Sequence, residues 1–163
     1  MTKEEFKKLF DEHFEQVRSY MFYRSGDTEL ATDIAQETFL KIWEKQQQID
    51  DARVKGLLYK IANNLFASHY RKEKRSFEFL KHYKLDCKSR TPEEDMEFSQ
   101  LNENYSRALG KMPEKQRTVF LMSRIDQLTY NEIAEMVGVS VKAVEKRMKL
   151  ALNFLRTSLK TNE

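Results

Sequence analysis

The sequence predicts an all-α protein built as two small helical units joined by a flexible linker, and three observations carry that prediction. Glycine occurs 4 times and proline 2 times in 163 residues, too rarely to punctuate a chain of short strands and turns. Apolar residues recur three and four apart through most of the chain, the spacing of one helix face. Over residues 76–91 that spacing fails, which places a linker there and sets the units at 1–75 and 92–163.

In the first unit, Phe6, Leu9, Phe10, Phe14, Val17, Tyr20 and Met21 mark an amphipathic helix that ends near Arg24-Ser25-Gly26. Asp27 or Thr28 caps a second helix whose apolar positions are Leu30, Ile34, Phe39, Ile42 and Trp43. Its other face carries Asp33, Gln36, Glu37, Leu40 and Glu44, a polar stripe with one exposed leucine. Gln46–Arg53 lacks helical periodicity and reads as a loop or short turn. A third helix runs from Val54 to about Arg75, with Leu58, Ile61, Ala62, Leu65 and His69 inward. Lys60, Asn63, Asn64, Ala67, Tyr70, Arg71 and Lys74 point outward. Three such stripes make a core of about seventy residues, near the lower end for an independent domain.

Thr91-Pro92 opens the second unit as N-cap and first helical residue, and Gly110 ends that helix. Pro113–Ile125 follows, with Val119, Phe120 and Met122 as core. The next stretch is LTYNEIAEMVGVSVKAVEKRMKLALNFL, Leu128–Leu155. Thr129 and Glu132 form a capping box, Gly138 stops a two-turn helix, and Ser140 caps the next one. Val144, Met148, Ala151, Leu152 and Leu155 make the buried face of that last helix. Ala134, Gly138 and Val144 suit the tight corner of a helix-turn-helix. Lys142, Lys146, Arg147 and Lys149 give its second helix the polarity of a phosphate-facing surface. An ordinary helical hairpin with a solvated basic face is the competing interpretation.

The net charge is only +3, but it is unevenly spread: Arg53–Arg75 holds seven Lys/Arg and one acid, Asp27–Glu44 five acids and one lysine. Adjacent acidic and basic faces suggest two different partners. Alone, the third helix is equally a solvated basic face; beside a helix-turn-helix it becomes a second nucleic-acid surface. Cys87 is the sole cysteine, which excludes an intramolecular disulfide and a Cys-cluster zinc site. His13, His69 and His82 are far apart, and no phosphate loop or nucleophile elbow occurs. The acids of Asp27–Glu44 read as a solvated helix face rather than a catalytic pair. The expectation is a binder with no catalytic residue, metal or cofactor. The charged start MTKEEFKKLF and the lack of a long apolar run predict a cytoplasmic chain without membrane insertion.

DIAQETFLKIWEK (Asp33–Lys45) with GLLYKIANNLFASHYRKEKR (Gly56–Arg75) resembles region two of bacterial sigma factors. MPEKQRTVFLMSRIDQLTYNEIAEMVGVSVKAVEKRMKLALNFLR (Met112–Arg156) resembles region four. With only a linker between them, the chain is similar to the extracytoplasmic-function (ECF) group. The resemblance implies a promoter-melting three-helix domain, a helix-turn-helix domain, and promoter-specific initiation with core RNA polymerase. It implies that Asp33, Gln36, Glu37, Leu40 and Glu44 contact polymerase. The minus-ten element and its melted strand then fall to Gln46, Gln47, Gln48, Asp50, Arg53, Lys60, Asn64, Tyr70, Arg71 and Lys74. The minus-thirty-five duplex falls to Thr129, Ser140, Lys142, Glu145, Lys146, Arg147 and Lys149, with an ion pair from Arg147 to Glu132 or Glu135 as its alternative role. Ser68 stands where many relatives carry an aspartate. An anti-sigma factor is an implied partner, with Phe77, Phe79, Leu80 and Tyr83 as part of its interface. Two other functions compete. A stand-alone helix-turn-helix regulator would bind a palindrome as a dimer without polymerase. A recombinase would need a nucleophile ringed by arginines, which Ser19, Ser25 and Ser68 do not provide.

Overall fold

A computed structural model describes residues 1–45, 50–70 and 103–160. Gln46, Gln47, Gln48, Arg71, Lys74, the side chain of Tyr70, the 76–91 linker and the helix start at Pro92 lie outside the described residues.

Helix α1 spans Lys3–Ser25 and begins with a full capping box, since Thr2 and Glu5 each accept the other's backbone N–H. It stops at Gly26, whose φ of 69° lies in the left-handed region that glycine enters freely. Helix α2, Thr28–Lys45, is capped by Asp27, which accepts the Leu30 N–H at 3.1 Å and so takes the role left open between Asp27 and Thr28. Ile34, Ala35, Thr38, Phe39 and Ile42 are buried along it. Phe39 sits among the rings of Phe6, Phe10 and Phe14, with its centroid 5.1 Å from that of Phe10.

Helix α3, Asp51–Tyr70, starts three residues before the expected Val54. Asp50 is the reason: its carbonyl accepts the Arg53 and Val54 N–H groups, and its carboxylate accepts Ala52 N–H at 3.3 Å. The first aspartate of a pair that reads as loop is thus the helix cap. His69 faces solvent, contrary to the inward expectation, with Nε2 3.8 Å from a Glu37 carboxylate oxygen. Asn63, expected outward, is half-buried. Tyr59 and Phe66 are buried in addition to the expected Leu58, Ile61, Ala62 and Leu65.

The C-terminal helices are α4 over residues 103–111, α5 at Glu114–Arg124, α6 at Tyr130–Val137 and α7 at Val141–Lys160. Gly110 does not end α4; the helix passes through it, and Met112 N–H still donates to the Ala108 carbonyl at 3.0 Å. Pro113, which lacks an N–H, forces the break instead. Thr129 caps α6 by accepting Glu132 N–H at 3.2 Å, giving one half of the expected box. Gly138, with φ 80°, turns the corner, and Ser140 accepts Ala143 N–H at 3.1 Å to cap α7. Val144, Met148, Ala151 and Leu155 are buried, whereas Leu152, expected inward, is exposed.

The core is continuous from α1 through α3 to the C-terminal helices, because α5 packs on α1 and α6 on α3. Tyr59 lies in this core with no hydrogen-bond partner for its hydroxyl among the described residues. Burial raises the Tyr59 hydroxyl pKa most, followed by the nearby Asp126 charge and Tyr20; burial likewise raises Tyr20. For a raised tyrosine, the unfolded chain ionises first, at about pH 10. Stability is therefore full below that pH and falls as pH rises past it. Urea unfolding should show that alkaline loss. Tyr59→Phe, which removes an unpartnered buried hydroxyl, should stabilise the chain by about 1 kcal/mol at neutral pH and soften the loss. A destabilised Tyr59→Phe variant would mean the hydroxyl has a partner.

Candidate polymerase and nucleic-acid interfaces

Three surfaces carry the residues singled out above. The first is the outer face of α2. Because Ile34, Phe39 and Ile42 take its apolar side into the core, Asp33, Gln36, Leu40 and Glu44 are left exposed and Glu37 is half-buried. Leu40 is 53% exposed in the middle of this stripe. Among the described residues it takes no part in the buried core. Glu37 is partly compensated by Lys41 at 3.9 Å, and His69 Nε2 lies 3.8 Å from its carboxylate. Asp33 and Glu44 have no ion-pair partner among the described residues.

The second surface lies on α3. Arg53, Lys60, Asn64, Ala67 and Ser68 are exposed along it. Asp50 stands at its start, where its carboxylate serves the helix cap. Asn63 turns the other way: its Oδ1 accepts from Tyr20 Oη at 2.8 Å and from Arg24 Nη1 at 2.8 Å. The third surface is the helix-turn-helix. Lys142, Glu145, Lys146 and Lys149 are exposed on α7, while Thr129 and Ser140 sit at the helix starts with their oxygens engaged as caps. Arg147 makes no ion pair with Glu132 or Glu135, which removes that alternative role. It is half-buried and borders a groove of about 360 Å³ that also touches Pro113, Lys115, Lys146 and Leu150.

A polar seam between the units escaped sequence reading. Arg117 on α5 is only 6% exposed. Its Nε donates to the Tyr23 carbonyl at 2.9 Å and its Nη2 to the Arg24 carbonyl at 2.6 Å, satisfying orphan acceptors at the end of α1. Tyr23 Oη donates to Asp126 at 2.8 Å. Partial burial raises the Asp126 pKa, and the Tyr23 bond lowers it by less. Arg24 pairs with Glu114 and stacks 4.0 Å from the centroid of the Phe66 ring. Arg117 stands among Lys115, Gln116 and Thr118, ahead of the apolar run Val119–Met122, so no local pattern marks it as buried.

These surfaces can be set beside known proteins. The family model for sigma-70 region 2 matches residues 9–76, and that for sigma-70 region 4 matches residues 102–155. The ferric citrate uptake sigma factor FecI of Escherichia coli K12 is 30% identical over 151 residues, covering 90% of this chain and 86% of that protein. The chain belongs to the ECF sigma factors. The RNA polymerase sigma factor YlaC of Bacillus subtilis strain 168 is 26% identical, over 98% of this chain and 92% of its own. Among solved structures, CnrH in complex with the cytosolic domain of CnrY shares the fold with a TM-score of 0.66 at 22% identity, covering 99% of this chain and 92% of that one. RpoE with the anti-sigma factor NepR from Bartonella quintana gives 0.67 at 20% identity, covering 98% and 99%. As an ECF sigma factor the protein binds core RNA polymerase and directs promoter-specific initiation, and the stand-alone regulator is not favoured. No helix among the described residues is long and apolar enough to cross a membrane.

Proposed function

We propose that the sigma factor divides its work by surface, with residues 1–75 holding polymerase and melting the minus-ten element. The linker 76–91 spans to residues 92–163, which anchor the minus-thirty-five element. The observation that carries this reading is Leu40, an exposed leucine amid acids on the face of α2 that the core does not use. Asp33, Gln36, Glu37 and Glu44 steer the encounter with a basic partner, and Leu40 supplies an apolar anchor. Arg53, Lys60 and Asn64, with Gln46, Gln47, Gln48, Tyr70, Arg71 and Lys74, hold the melted strand by charge, amide and stacking contacts. Asp50 serves that surface indirectly, by fixing where α3 begins. Lys142, Glu145, Lys146, Arg147 and Lys149 enter the major groove from α7, where a glutamate can accept from cytosine and cations meet phosphates.

The protein then makes and breaks no bond itself and needs no cofactor. Contacts to unpaired bases offset duplex opening, which costs about 1–2 kcal/mol per base-pair step. It works in the cytoplasm, where polymerase is, and an anti-sigma factor of the kind seen with CnrH and RpoE restrains it. In vitro transcription with core polymerase and a fragmented genomic library tests the reading. Discrete promoter-dependent transcripts are expected; their absence, with tight palindrome binding by the protein alone, would return the regulator reading.

A further inference from the structure

Two clefts meet around Arg147. The larger, about 360 Å³, lies between α5 and α7 and is walled by Pro113, Lys115, Ala143, Lys146, Arg147 and Leu150. The smaller, about 250 Å³, shares Glu114, Lys115 and Arg147 with it and continues towards Tyr20, Arg24 and Asn63. The larger alone reaches the size of small-ligand pockets, which begins at about 300 Å³.

Charge around the clefts is one-sided. Glu114 is the one acid that lines either of them, and it is paired with Arg24. Lys115, Lys146 and Arg147 have no hydrogen-bond or ion-pair partner among the described residues. Arg147 is half-buried, and a guanidinium drawn partly out of water without a partner carries an uncompensated desolvation cost. Its planar fork and the two ammonium groups suit phosphate oxygens, which a guanidinium engages two at a time. Tyr20 and Asn63 stand across from Arg147 in the smaller cleft, leaving room for a small anion and not for a duplex. A solvated basic surface has no use for the other walls of the larger cleft. Pro113, Ala143 and Leu150, the last 42% exposed, offer an apolar bed there. A bare phosphate would leave that bed uncovered, whereas a nucleobase would lie on it.

We propose that these clefts bind a nucleoside polyphosphate, with its phosphates on Arg147, Lys115 and Lys146 and its base against Leu150, Ala143 and Pro113. Because Lys146 and Arg147 are also assigned to the minus-thirty-five duplex, the bound nucleotide competes with promoter DNA. That competition rests on the surface assignments above; the site itself does not.

Calorimetric titration of the full chain with ATP, in magnesium-free buffer at about 0.15 M salt, tests the site. ATP should bind saturably, with a Kd below about 100 μM. Lys115→Glu should weaken it at least about tenfold, with helical circular dichroism unchanged. Lys142→Glu makes the same charge change on an exposed lysine outside both clefts, and should leave the Kd within about twofold. The parent should prefer ATP to inorganic tripolyphosphate by about tenfold, and Leu150→Ser should remove that preference. No saturable binding up to about 1 mM ATP, or equal losses in Lys115→Glu and Lys142→Glu, would overturn the site. Equal affinity of the parent for ATP and tripolyphosphate would overturn the nucleoside. The second readout is fluorescence anisotropy of a minus-thirty-five duplex taken from the transcribed promoters. ATP at about ten times its Kd should weaken duplex binding by the parent about tenfold, and by Lys115→Glu no more than about twofold. Duplex binding that ATP leaves unchanged, while calorimetry behaves as expected, would sink the assignment of Lys146 and Arg147 to DNA and leave the site standing.

Discussion

Leu40→Asp is expected to abolish assembly with core polymerase while leaving the fold intact. A central apolar anchor in a protein interface typically contributes about 2–4 kcal/mol, so Kd should rise by about a hundredfold or more. Leu40 is 53% exposed and is absent from the core, so the melting temperature should stay close to that of the parent. The acids around it should rank by how free their charge is. Asp33→Lys should weaken assembly more than Glu37→Lys, because Lys41 and His69 already lie within 4 Å of Glu37. Native binding by Leu40→Asp in a pull-down with core polymerase would move the polymerase surface off α2.

Phe39→Ala should have the largest effect on stability. The ring is 1% exposed and lies among Phe6, Phe10 and Phe14 where α1 meets α2. Emptying such a site costs about 3–5 kcal/mol, a large share of the 5–15 kcal/mol typical of a domain. In thermal unfolding that should lower Tm by about 10 °C. The same truncation at Phe14, which is only half-buried, should cost clearly less. If Phe39→Ala melted within two degrees of the parent, roughly, the aromatic cluster would not be what joins these helices.

The helices were legible because their signals are local. Thr129, Gly138 and Ser140 announce the helix-turn-helix by cap chemistry that acts over three or four residues, and the structure uses each of them as a cap or a corner. The stripe of Asp33, Gln36, Leu40 and Glu44 could be read off as exposed because the opposite side of the same helix so plainly belongs to a core. Errors came where a residue's environment is set by a distant segment. Asn63 looked like an outward amide next to Asn64, but Tyr20 and Arg24, about forty residues earlier, draw it inward. His69 looked inward by spacing alone, yet it faces solvent beside a Glu37 carboxylate. Gly110 looked like a stop, but a proline three residues on does that work, since a glycine only permits a break and a missing N–H compels one.

The sequence by itself determined that the chain is helical, that it has an acidic face, a basic face and a helix-turn-helix, and that together these resemble a sigma factor. All of that follows from periodicity, capping and charge within single elements. Only the tertiary structure decided how the two units meet. The pairing of Arg24 with Glu114, the burial of Arg117 against the end of α1 and the bond from Tyr23 to Asp126 join residues some ninety or more positions apart. Such contacts leave no local pattern, because a half-buried ion pair is written in the sequence as two ordinary surface charges. Whether a charge faces water or another charge is settled only when the chain has folded back on itself.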